Sequence, residues 1–143
     1  MRTFLTLVAV ALVVAGCTDR TGDTPVAASF NIGDCVDISA QVTAIDCAEP
    51  TAAYEVAIVL ATTAEPCPSG DYREVEKLCL MLNALTGDCF SGLDGPTPVR
   101  ESCGVAEVKV SLVQHVADAA CPAGTPLVYP EPAPGRTVCL TDL

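Results

Sequence analysis

The sequence predicts a β-rich α+β fold: a small disulfide-stapled domain built from two tandem internal repeats. Three observations indicate it. Apolar and polar residues alternate over two short stretches, which is typical of half-buried strands. An even set of cysteines follows an export signal, which is typical of a disulfide framework. A series of short motifs also recurs once in the same order, which indicates an internal repeat.

The first 16 residues have the features of a lipoprotein signal peptide. Met1 and Arg2 precede an apolar run over residues 4–14, and small residues follow before Cys17. The run holds 11 residues, which is too short for a transmembrane helix, because crossing the hydrocarbon core takes about 20 apolar residues. The chain is therefore expected to be exported and to need another kind of anchor.

Residues 14–17, Val-Ala-Gly-Cys, resemble the lipobox of bacterial lipoproteins. The resemblance implies cleavage before Cys17 and a diacylglyceryl group, such as a palmitate-bearing one, on its thiol. Two acyl chains hold a protein stably on a membrane where one does not, since each buried methylene contributes about 0.8 kcal/mol. We therefore expect a cell-membrane lipoprotein that faces outside the cytoplasm, with residues 17–30 as a flexible tether.

The mature chain is strongly acidic. Of the 143 residues, 127 remain after cleavage, and the loss of Arg2 takes the formal charge from −11 to −12. Such a charge disfavours nucleic acid and anionic lipid surfaces as partners. Because the acidic residues are scattered, we interpret them as a solubilising surface more than as a cation site.

Eight cysteines remain once Cys17 is assigned to the lipid, and an even number in an exported chain favours four disulfides. No pair has the C-x-x-C spacing, and His115 is the only histidine, so zinc and thioredoxin-like redox chemistry are weak alternatives. We expect no metal and no cofactor. The disulfide cysteines are Cys35, Cys47, Cys67, Cys79, Cys89, Cys103, Cys121 and Cys139.

Recurring motifs divide the chain into a first repeat over residues 31–84 and a second over 85–143, each with four cysteines. Pairing within each repeat leaves about nine of the 105 connectivities open, three choices for each repeat, and we prefer local pairing: Cys35 with Cys47, Cys67 with Cys79, Cys89 with Cys103, and Cys121 with Cys139. The motifs that recur are Gly33-Asp34-Cys35 as Gly87-Asp88-Cys89, Glu55-Val56 as Glu107-Val108, Cys67-Pro68 as Cys121-Pro122, and Cys79-Leu80 as Cys139-Leu140.

Alternation predicts the main strand of each repeat at residues 55–60 and 107–112. A strand pair over residues 35–47 is expected before the first of these. Residues 78–82 and 138–141 are expected to close the repeats.

The α component of the predicted fold rests on one short segment. Residues 68–71, Pro-Ser-Gly-Asp, form a turn that caps a predicted short helix through Glu76. The matching segment of the second repeat carries five prolines between 122 and 134, which exclude a helix.

The motif order resembles the LppU lipoproteins of mycobacteria and related actinobacteria over essentially the whole chain. It runs from the lipobox and Gly-Asp-Cys-Val at 33–36 to Leu-Val-Tyr-Pro at 127–130 and Thr-Val-Cys-Leu at 137–140. A single unit, from Gly-Asp-Cys to Cys-Leu, is also similar to the actinobacterial domain named septum formation. The resemblance implies a place in the cell envelope and names no activity.

No group of residues makes a catalytic site, so we predict no catalytic residue. His115 follows the polar face of its strand and is expected to be a solvated edge residue. Ser111 and Asp118 are its neighbours in sequence, but no nucleophile motif such as G-x-S-x-G is present. Asp34 and Asp88 are interpreted as turn or cap residues.

Two classes of function follow. The first is a non-enzymatic binding or envelope-assembly module whose partner is an envelope protein or ligand, with its oligomeric state open. The alternative is a cell-wall-acting enzyme that uses carboxylates the sequence does not single out.

Overall fold

The computed structural model of the chain describes residues 29–130 and 135–143. The predicted signal peptide, Cys17 and most of the predicted tether lie outside the described residues. Within those residues no helix is long and apolar enough to cross a membrane.

The first half of the described chain forms a five-stranded antiparallel sheet. The spatial order is β2-β1-β3-β5-β4, so β3 lies at the centre. The predicted strand pair before β3 is confirmed, because Cys35 pairs with Ile45 across β1 and β2. The five strands are β1 (Cys35–Asp37), β2 (Thr43–Ile45), β3 (Tyr54–Val59), β4 (Arg73–Val75) and β5 (Leu78–Leu82).

The second half forms another five-stranded antiparallel sheet, with the order β7-β6-β8-β10-β9. When strands are numbered from the start of each half, this is the order of the first sheet. The five strands are β6 (Cys89–Ser91), β7 (Val99–Glu101), β8 (Val108–Gln114), β9 (Thr125–Tyr129) and β10 (Arg136–Asp142).

Matching hydrogen bonds occupy the same places in the two sheets. The Gly33 N–H donates to the Val56 carbonyl and the Gly87 N–H to the Val110 carbonyl, both at 2.8 Å. The register therefore aligns Val56 with Val110, whereas the sequence motifs aligned Val56 with Val108. Glu55, which faces Cys35, matches Lys109, which faces Cys89, instead of Glu107.

A β-bulge interrupts each main strand at the same place. The pairing of β3 with β5 steps from Val56 to Ile58, and that of β8 with β10 steps from Val110 to Leu112. The simple alternation predicted for residues 55–60 is therefore wrong in detail. Val56 and Ala57 are both fully buried, because the extra residue of a bulge shifts the side chains that follow it.

The predicted helix before Glu76 is wrong, and the fold is β-rich without an α component in the described part of the chain. Residues 73–75 form β4, which pairs with β5 and leaves Glu76 and Lys77 as a two-residue hairpin connection. Glu76 has φ 55°, the sign that the first central residue of a hairpin turn takes. Pairing along β5 supplies backbone hydrogen bonds that an isolated helical turn does not sustain.

Four disulfides join Cys35 to Cys47, Cys67 to Cys79, Cys89 to Cys103, and Cys121 to Cys139. These are the pairs that local pairing within each half predicts. Each bridge stays within one half of the chain and ties a strand to a loop, so packing between the two halves is non-covalent. One apolar cluster supplies much of it, drawing Val36, Leu80 and Leu82 from the first half and Phe90, Val110 and Val138 from the second.

Candidate binding cleft between the two sheets

A cleft of about 360 Å³ lies where the two sheets meet. All three tyrosines of the chain line it, although tyrosine is one of its rarer residues. They are nearly or fully buried, at 7% exposed or less, and so form the inner wall. The lining consists of Tyr54, Gly70, Asp71, Tyr72, Arg73, Leu82, Leu93, Asp94, Leu127, Tyr129 and Leu140.

Hydrogen bonds fix each tyrosine across the junction. Tyr54, at the start of β3, donates its hydroxyl to the Leu93 carbonyl at 3.2 Å. Tyr72, just before β4, donates to the Pro130 carbonyl at 2.9 Å. Tyr129, at the end of β9, accepts the Leu82 N–H at 3.1 Å. Each bond joins one half to the other, so the cleft exists only because the two sheets are packed together.

The rings of Tyr72 and Tyr129 also contact each other edge to face. Their centroids lie 5.1 Å apart with an interplanar angle of 61°. This is a favourable arrangement for two aromatic rings and is worth about 0.5–1.5 kcal/mol beyond the area that they bury. The contact therefore adds to the packing of the two sheets beneath the cleft.

Charged side chains lie at the outer part of the cleft. Asp71 is exposed and accepts the Val128 N–H through Oδ2 at 2.8 Å. Asp94 is exposed and forms no hydrogen bond with the rest of the described chain. Arg73 is half-buried and donates to the Gly95 carbonyl at 3.2 Å. The mouth thus offers two carboxylates against one guanidinium.

The buried phenols resist ionisation. Burial raises the pKa of Tyr54 above 10.0, with the Asp94 carboxylate adding to the effect and Arg73 opposing it. Burial also raises the pKa of Tyr129, against the Leu82 N–H that bonds to its oxygen. Both hydroxyls are therefore neutral at physiological pH.

Two arginines of the second half brace the first half beside the cleft. Arg136 pairs with Glu55 at 2.7 Å and also donates to the Leu82 carbonyl at 3.2 Å. Arg100 donates to the Cys47 carbonyl at 3.2 Å and to the Asn83 carbonyl at 2.5 Å. These contacts limit relative motion of the sheets and so keep the cleft walls in place.

The residues weighed from sequence do not form part of this cleft. His115 is exposed just beyond β8, as expected for a solvated edge residue. Ser111 is exposed and donates to the Cys139 carbonyl at 3.1 Å, and Asp118 lies in the exposed turn beyond His115. No catalytic triad is assembled among them.

The cap interpretation of Asp34 and Asp88 is confirmed. Asp34 accepts the Asn31 N–H at 2.8 Å, and Asp88 accepts the Leu85 N–H at 2.9 Å. Each carboxylate therefore closes the turn that leads into the first strand of its sheet.

Sequence reasoning missed the cleft. The one hint in the sequence was the small number of tyrosines. The chain has three, and all three line the cleft. Their separation in sequence hid this, because Tyr72 and its partner Pro130 lie 58 residues apart.

A second, more apolar cavity of about 520 Å³ opens at the start of the described chain, near the hairpin that joins β4 and β5. Val59, 46% exposed, contributes to it. Its lining residues are Ser29, Phe30, Val59, Thr63, Glu76, Lys77 and Leu78.

Over the described ranges, no group of three or more His, Cys, Asp and Glu residues is placed to hold a metal ion. Comparison with known proteins found no matching family model, no matching curated protein and no matching solved structure.

Proposed function

We propose that the chain is an extracytoplasmic lipoprotein, held on the cell membrane by a lipid on Cys17, that works as a non-enzymatic binding or envelope-assembly module. The observation that carries the binding role is the cleft between the two sheets, which all three tyrosines line. A concave site with aromatic walls and a few polar groups is the usual form of a small-ligand site.

Rigidity of the cleft supports a binding role. Disulfides hold each sheet, while hydrogen bonds from Tyr54, Tyr72 and Arg136 hold the sheets together. A site that is ordered before its ligand arrives loses little side-chain freedom on binding. The cleft is therefore suited to recognition without rearrangement.

The anchoring part of the proposal rests on residues 1–17, which have the charge, the short apolar run and the lipobox-like end of a lipoprotein signal. The resemblance to the LppU lipoproteins favours the same location. An origin by internal duplication, with halves 31–84 and 85–143, is supported by the shared strand order and by the matching bonds of Gly33 and Gly87.

Metabolic labelling tests the anchor. The full chain is expressed in its native host with an alkyne-bearing palmitate analogue, beside Cys17→Ser and the matched control Thr18→Ala. We expect label on the unaltered chain and on the control, and none on Cys17→Ser, because the thiol is the only change. Equal labelling of Cys17→Ser would overturn the assignment of the lipid to Cys17.

A spectroscopic titration tests the binding role. The mature chain with Cys17→Ser, labelled with ¹⁵N, is titrated with soluble fragments released from the host's cell envelope. We expect amide shifts to cluster at lining residues such as Leu93, Leu127 and Leu140. Shifts confined to surfaces away from the cleft, or no shifts with any fragment, would contradict its role as the binding site.

One observation favours the enzymatic alternative: two carboxylates, Asp71 and Asp94, line the same cleft, as a glycoside-cleaving pair would. Against it, both are exposed, and Asp71 already accepts a backbone N–H. Turnover of the envelope fragments, abolished by Asp94→Asn, would establish the enzyme. Fragments recovered unchanged, with binding only weakened in the variant, would establish the binding module.

A further inference from the structure

The cleft combines aromatic rings with carboxylates. Tyr54, Tyr72 and Tyr129 form its inner wall, and Asp71 and Asp94 stand at its mouth. Aromatic faces attract cations through the ring quadrupole, and N-alkylated ammonium groups are the ligands that aromatic cages most often hold. Carboxylates at the rim add direct charge attraction.

The charges of the cleft leave one carboxylate available. Arg73 is the one cation among the lining residues, and its guanidinium donates to the Gly95 carbonyl. Asp71 bonds to the Val128 N–H through one oxygen, whereas Asp94 makes no hydrogen bond within residues 29–130 and 135–143. Asp94 is therefore the lining carboxylate that accepts no hydrogen bond, and an incoming cation would share it only with the Arg73 guanidinium.

The net charge of the whole chain also favours a cationic ligand. With a formal charge of −12 after removal of residues 1–16, the mature chain attracts cations and repels anions at long range. An anionic ligand in this cleft would face two carboxylates as well as that overall charge. Phosphates, nucleotides and acidic sugars are thus the ligands that the site disfavours most.

The corresponding surface of the second sheet lacks these features. In the first sheet Tyr54 pairs with Val36, the second residue of β1. The equivalent position of the second sheet, which pairs with Phe90 of β6, is occupied by Val108. Arg73 pairs with Leu80 and Thr125 pairs with Leu140, which are equivalent positions in the two sheets. The residue before each is therefore also equivalent, so Gly124 occupies the place of Tyr72. The aromatic wall is therefore particular to this cleft and does not follow from the shared strand order.

From this juxtaposition we propose that the cleft binds a small organic cation, an ammonium or N-alkylated ammonium group, with Asp94 as its charge partner and the rings of Tyr54 and Tyr72 as its aromatic wall, which the fully buried Tyr129 supports from behind. The proposal rests on the proposed function in taking the cleft as the binding site. Its volume of about 360 Å³ lies within the usual range of small-ligand pockets.

A pair of isosteric probes tests the charge requirement. The ¹⁵N-labelled mature chain with Cys17→Ser is titrated with choline chloride and, separately, with 3,3-dimethylbutan-1-ol, which has the same shape without the charge. We expect choline to shift lining residues such as Leu93 and Leu140 and the neutral analogue to bind at least tenfold more weakly. Raising the salt concentration should weaken choline binding, because screening removes the long-range attraction.

Two matched variants assign the charge partner. Asp94→Asn keeps the size of an exposed side chain and removes its charge, and we expect choline affinity to fall about tenfold, because the quaternary ammonium donates no hydrogen bond and loses its direct charge attraction. Asp142→Asn makes the same change on an exposed residue at the end of β10, outside the cleft, and should leave affinity within twofold. Equal effects of the two variants would overturn the role of Asp94.

The outcomes separate this inference from the proposed function. Equal binding of the neutral analogue, or choline shifts away from the cleft, overturns the cation proposal. If choline has no effect while a neutral methyl glycoside or an envelope fragment shifts the lining residues, the ligand class is wrong and the cleft remains the site. If no probe shifts the lining residues, both proposals fail.

Discussion

Replacing Tyr129 with phenylalanine is expected to destabilise the fold through a single buried hydrogen bond. The Tyr129 side chain is fully buried, and its hydroxyl accepts the Leu82 N–H at 3.1 Å from the other sheet. Phenylalanine keeps the ring and its edge-to-face contact with Tyr72 but leaves the Leu82 N–H without an acceptor. A buried donor left unsatisfied costs about 1–3 kcal/mol, so we expect the free energy of unfolding to fall by that amount.

Chemical denaturation with the disulfides intact measures the effect. The midpoint should fall while the dependence on denaturant stays the same, since the surface exposed on unfolding does not change. Ser111→Ala is the matched control, because it also removes one hydroxyl, from an exposed residue that bonds to the Cys139 carbonyl. Its effect should stay within about 0.5 kcal/mol. If Tyr129→Phe is as mild as the control, the hydroxyl does not satisfy Leu82 and the packing of the sheets described above is incorrect.

Three further predictions concern the backbone, the ion pair and pH. Gly124→Ala should cost at least about 2 kcal/mol in denaturation, since φ is 87° and a Cβ would lie 1.8 Å from a backbone oxygen; a mild effect would contradict that close approach. A double-mutant cycle on Arg136→Gln and Glu55→Gln should give a coupling energy of about 0.5–3 kcal/mol, because the side chains are only 14% and 16% exposed; additive effects would refute the pair. Because the pKa values of Tyr54 and Tyr129 are raised from 10.0, the unfolded state loses protons first, so stability should fall as pH rises above about 10. Tyrosinate absorbance should then appear for these two residues only as the chain unfolds, and ionisation of Tyr54 and Tyr129 in the folded state would refute their burial.

Local patterns were enough to predict several elements of the fold. Alternation placed β3 and β8, residues 78–82 were expected at the end of the first repeat where β5 lies, and the recurring motifs with a preference for local pairing gave the four bridges. Each of these depends on residues close together in sequence. The carboxylates of Asp34 and Asp88 were likewise predictable, because each caps a turn only three residues away.

Features set by packing between sheets were not predictable. The bulge at Ala57 depends on the partner strand, and β4 replaces a helix because β5 is there to pair with it. The cleft arises from contacts such as Tyr72 with Pro130, which no local pattern encodes. The candidate site therefore could not be predicted without the relative positions of the two sheets.

Intact mass and peptide mapping of the protein from its native host, before and after reduction, test whether it is an anchored, disulfide-bonded pair of sheets. We expect a diacylglyceryl group on Cys17 and four bridges, each confined to residues 31–84 or 85–143. An unmodified Cys17, a free thiol among the other eight cysteines, or a bridge that joins the two halves would contradict it.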